Sequence, residues 1–350
     1  MGMRDRHTFP PPASAQRVLD PTTQIKIAYV DAADLNRWLA TSGTFPLAVV
    51  SFGSPLPASL PCPGIHLDLP VLEGHSTCEV WSCDVPVRVY QDGAAWAAIG
   101  GEVVFGSITA AEESHLGLSH TTERAYQQLL RLLSESGFPH LWRIWNYFPG
   151  INHEEQGIER YRLFCMGRHQ ALSEALPGFP GSLPAGTAVG TRGGPLQIYF
   201  LAGKQAATHL GNPRQVNAYD YPKTYGPRSP SFARATVCRS ESTTQLFISG
   251  TASVVGHQSQ HPGLADMQAL ETVTNLRALI DRAHSISPFQ DQGTRLQSVF
   301  KVYVRHPKHL ETVRRVLDAP FLLSSHLLYL QGELCRKELL VEIEGLVTTD

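Results

Sequence analysis

The feature that most constrains the fold is a pattern of strand and helix signals that occurs twice. In the first copy, an apolar strand at 101–108 precedes a helical pattern at 121–136, and a strand at 141–148 precedes a helix at 158–172. The first helix is indicated by apolar residues at helical spacing, namely Ala125, Leu129, Leu132 and Leu133.

The second copy repeats this order. A strand at 244–250 precedes a helix at 266–283, and a strand at 298–305 precedes a helix at 307–317, before a last strand at 339–344. The apolar side of the longer helix is predicted to carry Met267, Leu270, Val273 and Ile280. Two such βαβα halves predict an α+β protein with helices packed on mixed sheets.

Composition suggests the boundaries of these halves. Residues 1–24 are rich in proline and polar residues, which predicts a flexible N-terminus. Residues 175–194 are rich in glycine and proline, which predicts a linker. We therefore expect an N-terminal half at 25–174, with an irregular β-rich lead-in, and a C-terminal half at 195–350, opened by a strand at 195–203.

Charge and composition exclude several functions. The 350 residues include 29 Lys and Arg against 31 Asp and Glu, so no basic surplus favours nucleic acid or an anionic membrane. No apolar run approaches the roughly 20 residues of a membrane span. Six scattered cysteines predict free thiols in a cytoplasmic protein. Cys78 and Cys83 lack the further ligands of a zinc site, so we expect neither metal nor cofactor.

One segment, residues 211–236, lacks any periodicity. It contains four prolines, three tyrosines and three arginines. An aperiodic stretch of this length inside a domain tends to be functional. Tyrosines offer flat faces with a terminal hydroxyl, and arginines bind carboxylates through paired N–H groups. The alternative is a surface loop with solvated charges.

Two strands near the C-terminus place polar side chains on one face of a sheet. Lys301, Tyr303 and Arg305 alternate with apolar residues in one strand, and Glu342 and Glu344 alternate in the last. This face is either solvated or part of a concave pocket with arginines, tyrosines and one carboxylic acid. The pocket would suit a small ring acid with more than one carboxylate.

Several segments resemble those of the chorismatase family. They are LFISGTASVVGHQSQHPG, NPRQVNAYDYPKTYGPRSPSFARAT, CRKELLVEIEG, LWRIWNYFPGIN and ERYRLFCMGRHQAL. The similarity covers most of the chain from about residue 25. It implies that each half has the small YjgF/RidA-like fold and that the small-molecule substrate is chorismate, whose enolpyruvyl ether carries a second carboxylate. Because the halves are fused, we expect a monomer.

The resemblance also implies roles for particular residues. Glu342 would be the general acid that protonates the enolpyruvyl CH2 group, because carbon accepts protons slowly. Its neighbour Glu344 is expected to be solvated or structural. Gly250 and Cys335 are associated with members that form 3-hydroxybenzoate. The residues expected to bind substrate are Arg168, Tyr221, Tyr225, Arg228, Arg234, Tyr303 and Arg305. Among these, Arg234 and Arg305 are favoured as carboxylate clamps.

The expected reaction is therefore the conversion of chorismate to 3-hydroxybenzoate and pyruvate, in aromatic secondary metabolism. Two alternatives lie within the family. One is hydrolysis to 3,4-dihydroxycyclohexa-1,5-diene carboxylate and pyruvate, and the other is a bifunctional synthase of 3- and 4-hydroxybenzoate. Outside the family, a RidA-like protein would bind a small acid or hydrolyse imines without acting on chorismate.

Overall fold

Three β-sheets surround a common core in the computed structural model of this protein. The structure describes residues 23–113, 115–240, 243–286, 296–318 and 325–349. The predicted flexible segment therefore lies outside the described residues, except for its last two positions. Each sheet turns one face to the common core and packs helices on the other face.

The first sheet is formed by the predicted lead-in, which is more regular than expected. Its elements are β1 (Ile25–Asp31), α1 (Leu35–Thr41), β2 (Phe45–Phe52), β3 (Gly64–Leu67) and β4 (Thr77–Cys83). The strands are ordered β1-β4-β2-β3. Helix α1 covers the outer face, where Leu35, Val49 and Val80 are buried together.

The second sheet belongs to the first repeat. Its elements are β5 (Val87–Asp92), β6 (Ala95–Gly100), β7 (Val103–Ala110), α2 (Gly117–Ser136), β8 (His140–Pro149), β9 (Glu154–Glu155), β10 (Ile158–Glu159), α3 (Arg160–Ala175), β11 (Ala185–Thr191) and β12 (Leu196–Gly203). The strand order is β11-β8-β12-β7-β6-β5, and β9 pairs with β10 in a separate hairpin. The predicted apolar face of α2 is buried on this sheet.

The third sheet belongs to the second repeat. Its elements are β13 (Thr208–Leu210), β14 (Ala235–Arg239), β15 (Thr244–Ala252), β16 (Val254–Val255), β17 (Gln258–Ser259), α4 (Ala265–Ile286), β18 (Leu296–Val304), α5 (Leu310–Leu317), β19 (Ser325–Gln331) and β20 (Val341–Thr349). Read from its β19 edge, the strand order β19-β18-β20-β15-β14-β13 matches that of the second sheet. In both sheets one pair is parallel, β8 with β11 and β18 with β19, whereas the other pairs are antiparallel. The predicted α+β class with two repeats on mixed sheets is confirmed.

The boundary between the repeats differs from the prediction. The expected linker contains β11, and the strand expected to open the second half is β12, which lies between β8 and β7 in the second sheet. Strand β11 was missed because it consists of small residues. A Cβ at Gly186 would lie 3.0 Å from the Phe232 Cβ, and one at Gly190 would lie 2.9 Å from the Glu333 Cβ. Chain from the second repeat crosses directly against this strand, so larger side chains do not fit.

Helix α4 buries a different face from the predicted one. Val273 is buried as expected, but Met267 and Leu270 are 38% and 52% exposed. The buried face includes Gln268 and Asn275 instead. Both side chains donate to backbone carbonyls of other segments. A search for apolar periodicity cannot detect buried residues of this polar kind.

Asn275 provides a test of this support. Its Nδ2 donates to the carbonyl oxygens of Ala252 at 3.0 Å and Val254 at 2.9 Å. Asn275→Ala leaves these carbonyls unpaired, so we expect it to lower the free energy of unfolding by about 2–4 kcal/mol, measured by urea denaturation. The exposed Thr274→Ala is the control and should change it by less than about 0.5 kcal/mol. Equal effects of the two variants would contradict the proposed support.

Candidate active site

A cavity of about 400 Å³ opens where the second repeat meets the first, a volume suited to a small organic ligand. It is lined by the β9–β10 hairpin and the start of α3, by the aperiodic segment, by the end of β15, and by the turn before β20. The lining residues are Glu154, Gly157, Glu159, Tyr161, Arg162, Gln215, Tyr221, Thr224, Tyr225, Pro230, Phe232, Arg234, Gly250, Ala252, Val254, Cys335, Arg336, Lys337, Glu338, Leu339 and Glu342.

Glu342 of β20 is the buried acid on this wall. Its backbone lies opposite Ala252 on one side and Tyr303 on the other, and the residue is only 4% exposed. Burial, reinforced by the negative charge of Glu344, raises the pKa of the Glu342 carboxyl to about 8. The charges of arginines in its surroundings offset part of this shift. The carboxyl therefore keeps its proton at neutral pH.

Gly250 creates the space that this carboxyl occupies. The register of β15 against β20 shifts between Ile248 and Thr251, so Gly250 lies in a β-bulge. A Cβ at Gly250 would lie 2.9 Å from the Glu342 Cδ and closer still to its Oε1. A larger residue here would displace the acid.

Cys335 lies on the same wall, in the turn before β20. Burial and the charge of Glu342 raise the pKa of the Cys335 thiol to about 12. The sulfur is therefore protonated at neutral pH, and it can act as a nucleophile only if a neighbouring base takes its proton.

Arg234 is the buried cation of the cavity. It is 6% exposed, and its Nη2 donates to the Val216 carbonyl at 2.8 Å and to the Tyr221 hydroxyl at 2.7 Å. Its Nε has no partner within the described part of the chain. Such a buried, unused donor on a guanidinium is suited to an anionic ligand.

The predicted tyrosines Tyr221 and Tyr225 also lie on the wall, with ring centroids 5.4 Å apart. The Tyr225 hydroxyl lies 3.1 Å from His257 Nδ1. Arg336 stacks on both rings, with its Cζ 4.2 Å from the Tyr225 centroid, and its Nη1 donates to the His257 carbonyl. These contacts hold the aperiodic segment against the turn before β20, so the segment is a wall of the site rather than a solvated loop.

Arg305 and Tyr303 do not line the cavity, contrary to prediction. The Arg305 guanidinium donates to the carbonyls of Leu334, Arg336 and Leu339, at 3.0, 2.8 and 2.7 Å. It therefore fixes the turn that carries Cys335 rather than a substrate carboxylate. Tyr303 is fully buried, and its hydroxyl lies 2.8 Å from that of Tyr147 and donates to Glu344 at 2.6 Å.

Arg168 and Arg228 are also absent from the wall. Arg168 is 2% exposed, and its Cζ lies 4.8 Å from the Phe164 ring and 6.0 Å from the Phe232 ring. Because Phe232 lines the cavity, Arg168 lies behind that wall. Arg228 is exposed on the outside of the aperiodic segment, where prolines on either side of it constrain the chain.

Glu344 was expected to be either solvated or structural, and the structure shows the second: the side chain is buried and bonded. It is 1% exposed, forms an ion pair with Arg143, and accepts hydrogen bonds from Thr187 at 2.5 Å and Tyr303 at 2.6 Å. Lys301 lies 3.1 Å from its Oε1. Burial alone would raise the pKa of Glu344, but these charges and hydrogen bonds hold it below its ordinary value. The inner sheet face is thus buried against the other sheets.

Sequence reasoning missed three cations on the cavity wall, Arg162, Arg336 and Lys337. Arg336 and Lys337 directly follow Cys335, and this adjacency in the sequence could have placed them at the site. Arg162 lies in the first turn of α3, close to the junction. The side chain of Arg162 is 42% exposed, which places it at the rim.

The described residues contain no cluster of three His, Cys, Asp or Glu side chains placed to hold a metal ion. Cys78 and Cys83 are buried apolar positions of β4. Among the helices in the described ranges, none combines the length and apolar character needed to cross a membrane.

Comparisons with known proteins agree on one family. A family model described as chorismatase FkbO/Hyg5-like, N-terminal, matches residues 79–202 and so ends one residue before β12 does. A 3-hydroxybenzoate synthase from Streptomyces hygroscopicus is 35% identical over 295 residues, which cover 81% of this chain and 85% of the relative. A chorismatase from the same organism is 36% identical over 301 residues, covering 81% and 86%.

A solved structure agrees with this assignment. The crystal structure of a chorismatase superposes on this chain with a TM-score of 0.80 and 31% identity, over 93% of this chain and 98% of the other. The sequence relatives and the fold together leave one conclusion: the chain belongs to the chorismatase family.

Proposed function

We propose that this enzyme converts chorismate to 3-hydroxybenzoate and pyruvate, with Glu342 as the general acid. The observation that carries the proposal is a buried carboxyl, protonated at neutral pH, on the wall of a cavity that also holds a buried arginine. Protonating the CH2 group of an enol ether requires a positioned acid of this kind, and an ionised surface carboxylate would not serve.

The cations of the cavity divide between its interior and its rim. Arg234 is one of the charges that Glu342 senses, so it lies on the acid's side of the site. The enolpyruvyl carboxylate is attached next to the carbon that receives the proton, and we therefore assign it to Arg234. The ring carboxylate then points towards the rim, where the side chains of Arg162 and Lys337 are exposed. Tyr221 and Tyr225 provide the flat wall for the ring.

The proton balance supports a single acid that also serves as base. Protonation converts the CH2 group to a methyl group and leaves an oxocarbenium ion and the Glu342 carboxylate. To form 3-hydroxybenzoate, the ring loses one C–H proton and one of its two oxygens leaves with pyruvate. No water is consumed, and the ring proton restores Glu342. Hydrolysis would instead add water to the oxocarbenium carbon.

Overall similarity to the relatives does not distinguish formation of 3-hydroxybenzoate from hydrolysis, so the choice rests on individual residues, and these favour the aromatic product. The relatives named 3-hydroxybenzoate synthase and chorismatase are 35% and 36% identical to this chain. Gly250 and Cys335 match the type that forms 3-hydroxybenzoate. The Cys335 thiol lies within the electrostatic reach of Glu342. The ring proton can therefore return through the sulfur: the Glu342 carboxylate takes the thiol proton, and the thiolate takes the ring C–H proton, so both groups end the cycle protonated.

We also propose that the enzyme acts as a monomer. The inner faces of the three sheets already cover one another, so these faces, as far as the structure describes them, are not available to a partner subunit. A cytoplasmic location stays a prediction from the cysteine pattern.

Replacing the acid tests its role. Glu342→Gln keeps the shape of the side chain but has no acidic proton, so we expect kcat for pyruvate release from chorismate to fall at least ~100-fold. Glu311→Gln on α5 is the matched control, because that side chain is 71% exposed and does not line the cavity. Near-normal turnover by Glu342→Gln would rule out the assignment.

The pH dependence follows from the raised pKa of Glu342. The acid acts only while protonated, so kcat/KM should be high at neutral pH and fall as pH rises through about 8. The measurement is kcat/KM for pyruvate release between pH 5 and 10, in buffers of constant ionic strength. A profile that is already falling at pH 5, as the ordinary pKa of a glutamate, about 4.3, would give, would show that the carboxyl is not shielded.

Product analysis separates the candidate reactions. We expect purified protein to convert chorismate to equal amounts of 3-hydroxybenzoate and pyruvate, identified by chromatography and mass spectrometry. The hydrolytic product would be heavier than 3-hydroxybenzoate by one water, and 4-hydroxybenzoate would elute separately.

The same assay tests Cys335. Because protonation by Glu342 precedes the step that selects the product, Cys335→Ala should still release pyruvate, but with a smaller share of 3-hydroxybenzoate. An unchanged product ratio would exclude Cys335 from that step.

A further inference from the structure

Thr187 connects the two repeats directly behind the acid. It belongs to β11 of the first repeat and is 3% exposed. Its hydroxyl oxygen accepts from the Gly250 N–H at 2.9 Å and from Arg143 Nη2 at 2.5 Å, and it donates to Glu344 Oε2 at 2.5 Å. A hydroxyl has one proton and two acceptor sites, so all of its bonding capacity is in use.

The first consequence concerns the backbone beside the acid. The Glu342 carboxyl fills the space next to Gly250, where a Cβ would otherwise lie. A backbone N–H that donates to a carboxylate stabilises the charged form and lowers its pKa. Because the Gly250 N–H donates to Thr187, it is not offered to Glu342.

The second consequence concerns charge. Arg143 is the first of the cations that oppose protonation of Glu342, and Glu344 is the anion that favours it. Thr187 bonds to both and so holds the guanidinium against Glu344. The other groups around Glu342 are Arg234 before β14, Arg305 after β18 and the Cys335 thiol. Arg234 and Arg305 each donate to backbone carbonyls, and the thiol is uncharged at neutral pH.

We propose that Thr187 is a positioning residue that keeps the general acid protonated, because it engages the Gly250 N–H and holds the Arg143 guanidinium against Glu344. The kinetic consequence rests on the proposed function. The state of the Glu342 proton is a property of the protein without substrate, so it can be measured independently.

The test compares variants that differ in the hydroxyl. Thr187→Val keeps the branched shape and removes the hydroxyl, Thr187→Ala is a second hydroxyl-free variant, and Thr187→Ser restores the hydroxyl. The readout is infrared titration of the protonated carboxyl band of Glu342 in the full-length protein, assigned by its absence in Glu342→Gln. We expect the midpoint to fall by at least about one pH unit in the valine and alanine variants and to stay unchanged in the serine variant.

Kinetics supply the second readout. The fall of kcat/KM with rising pH should move to lower pH by the same amount in Thr187→Val, and Thr187→Ser should reproduce the wild-type profile. A uniform loss of activity at every pH, with the midpoint unmoved, would show a merely structural role and overturn the proposal. So would an unshifted carboxyl titration in whichever hydroxyl-free variant folds.

The two proposals can fail separately. If the titration shifts as expected but the wild-type protein releases no pyruvate from chorismate, the proposed function fails and the role of Thr187 stands. If the wild-type protein turns over chorismate and the titration does not shift, the role of Thr187 fails and the proposed function stands.

Discussion

The ammonium group of Lys301 is the point at which the three sheets of this protein meet. It lies 3.0 Å from Glu79 of the first sheet, 3.2 Å from the Tyr199 hydroxyl of the second and 3.1 Å from Glu344 of the third. Burial would lower the pKa of Lys301, but the two carboxylates raise it above its ordinary value, so the charge persists. Removing one partner of such a buried set leaves a charge without compensation, which typically costs 3–5 kcal/mol. The relative position of the sheets, and with it the cavity at their junction, depends on this contact.

The same charges explain how two glutamates of one strand differ. Glu344 faces Lys301 and Arg143 and stays ionised, whereas Glu342, two residues earlier, faces the cavity and the negative charge of Glu344. In the described part of the chain, no donor forms a hydrogen bond to the Glu342 carboxyl. Environments that separate the pKa values of two neighbouring carboxyls are a frequent means of assigning acid and anion roles. Strand β20 therefore carries both the proposed general acid and the buried carboxylate of the ion-pair network. Arg143 and Thr187 of the first repeat bond to that carboxylate, and Thr187 also binds the backbone beside the acid.

The sequence predicted what depends on periodicity and missed what depends on neighbours. Helices α2, α4 and α5 were located because apolar spacing survives without tertiary context, and alternation placed Lys301 and Tyr303 on one face. Alternation does not show what covers that face, so it did not reveal that the face is buried against two other sheets. The chemical type of Arg305 suggested a carboxylate clamp, although its donors are taken by backbone carbonyls of a turn. Strand β11 had no apolar signal because a second segment packs against it, and that contact exists only in the folded chain.

The buried charges around Lys301 lie where three different sheets of one chain meet. In a ring of identical subunits, a side chain near the axis meets its own copies, so a lysine there would face lysines. Joining the sheets in one polypeptide removes that restriction, because each can supply a different group. Glu79 comes from the first sheet, Arg143 from the second, and Lys301 and Glu344 from the third, so that two cations and two carboxylates neutralise one another. Covalent continuity thus permits an asymmetric electrostatic interior, in which one sheet carries the reactive carboxyl and the other two supply supporting groups.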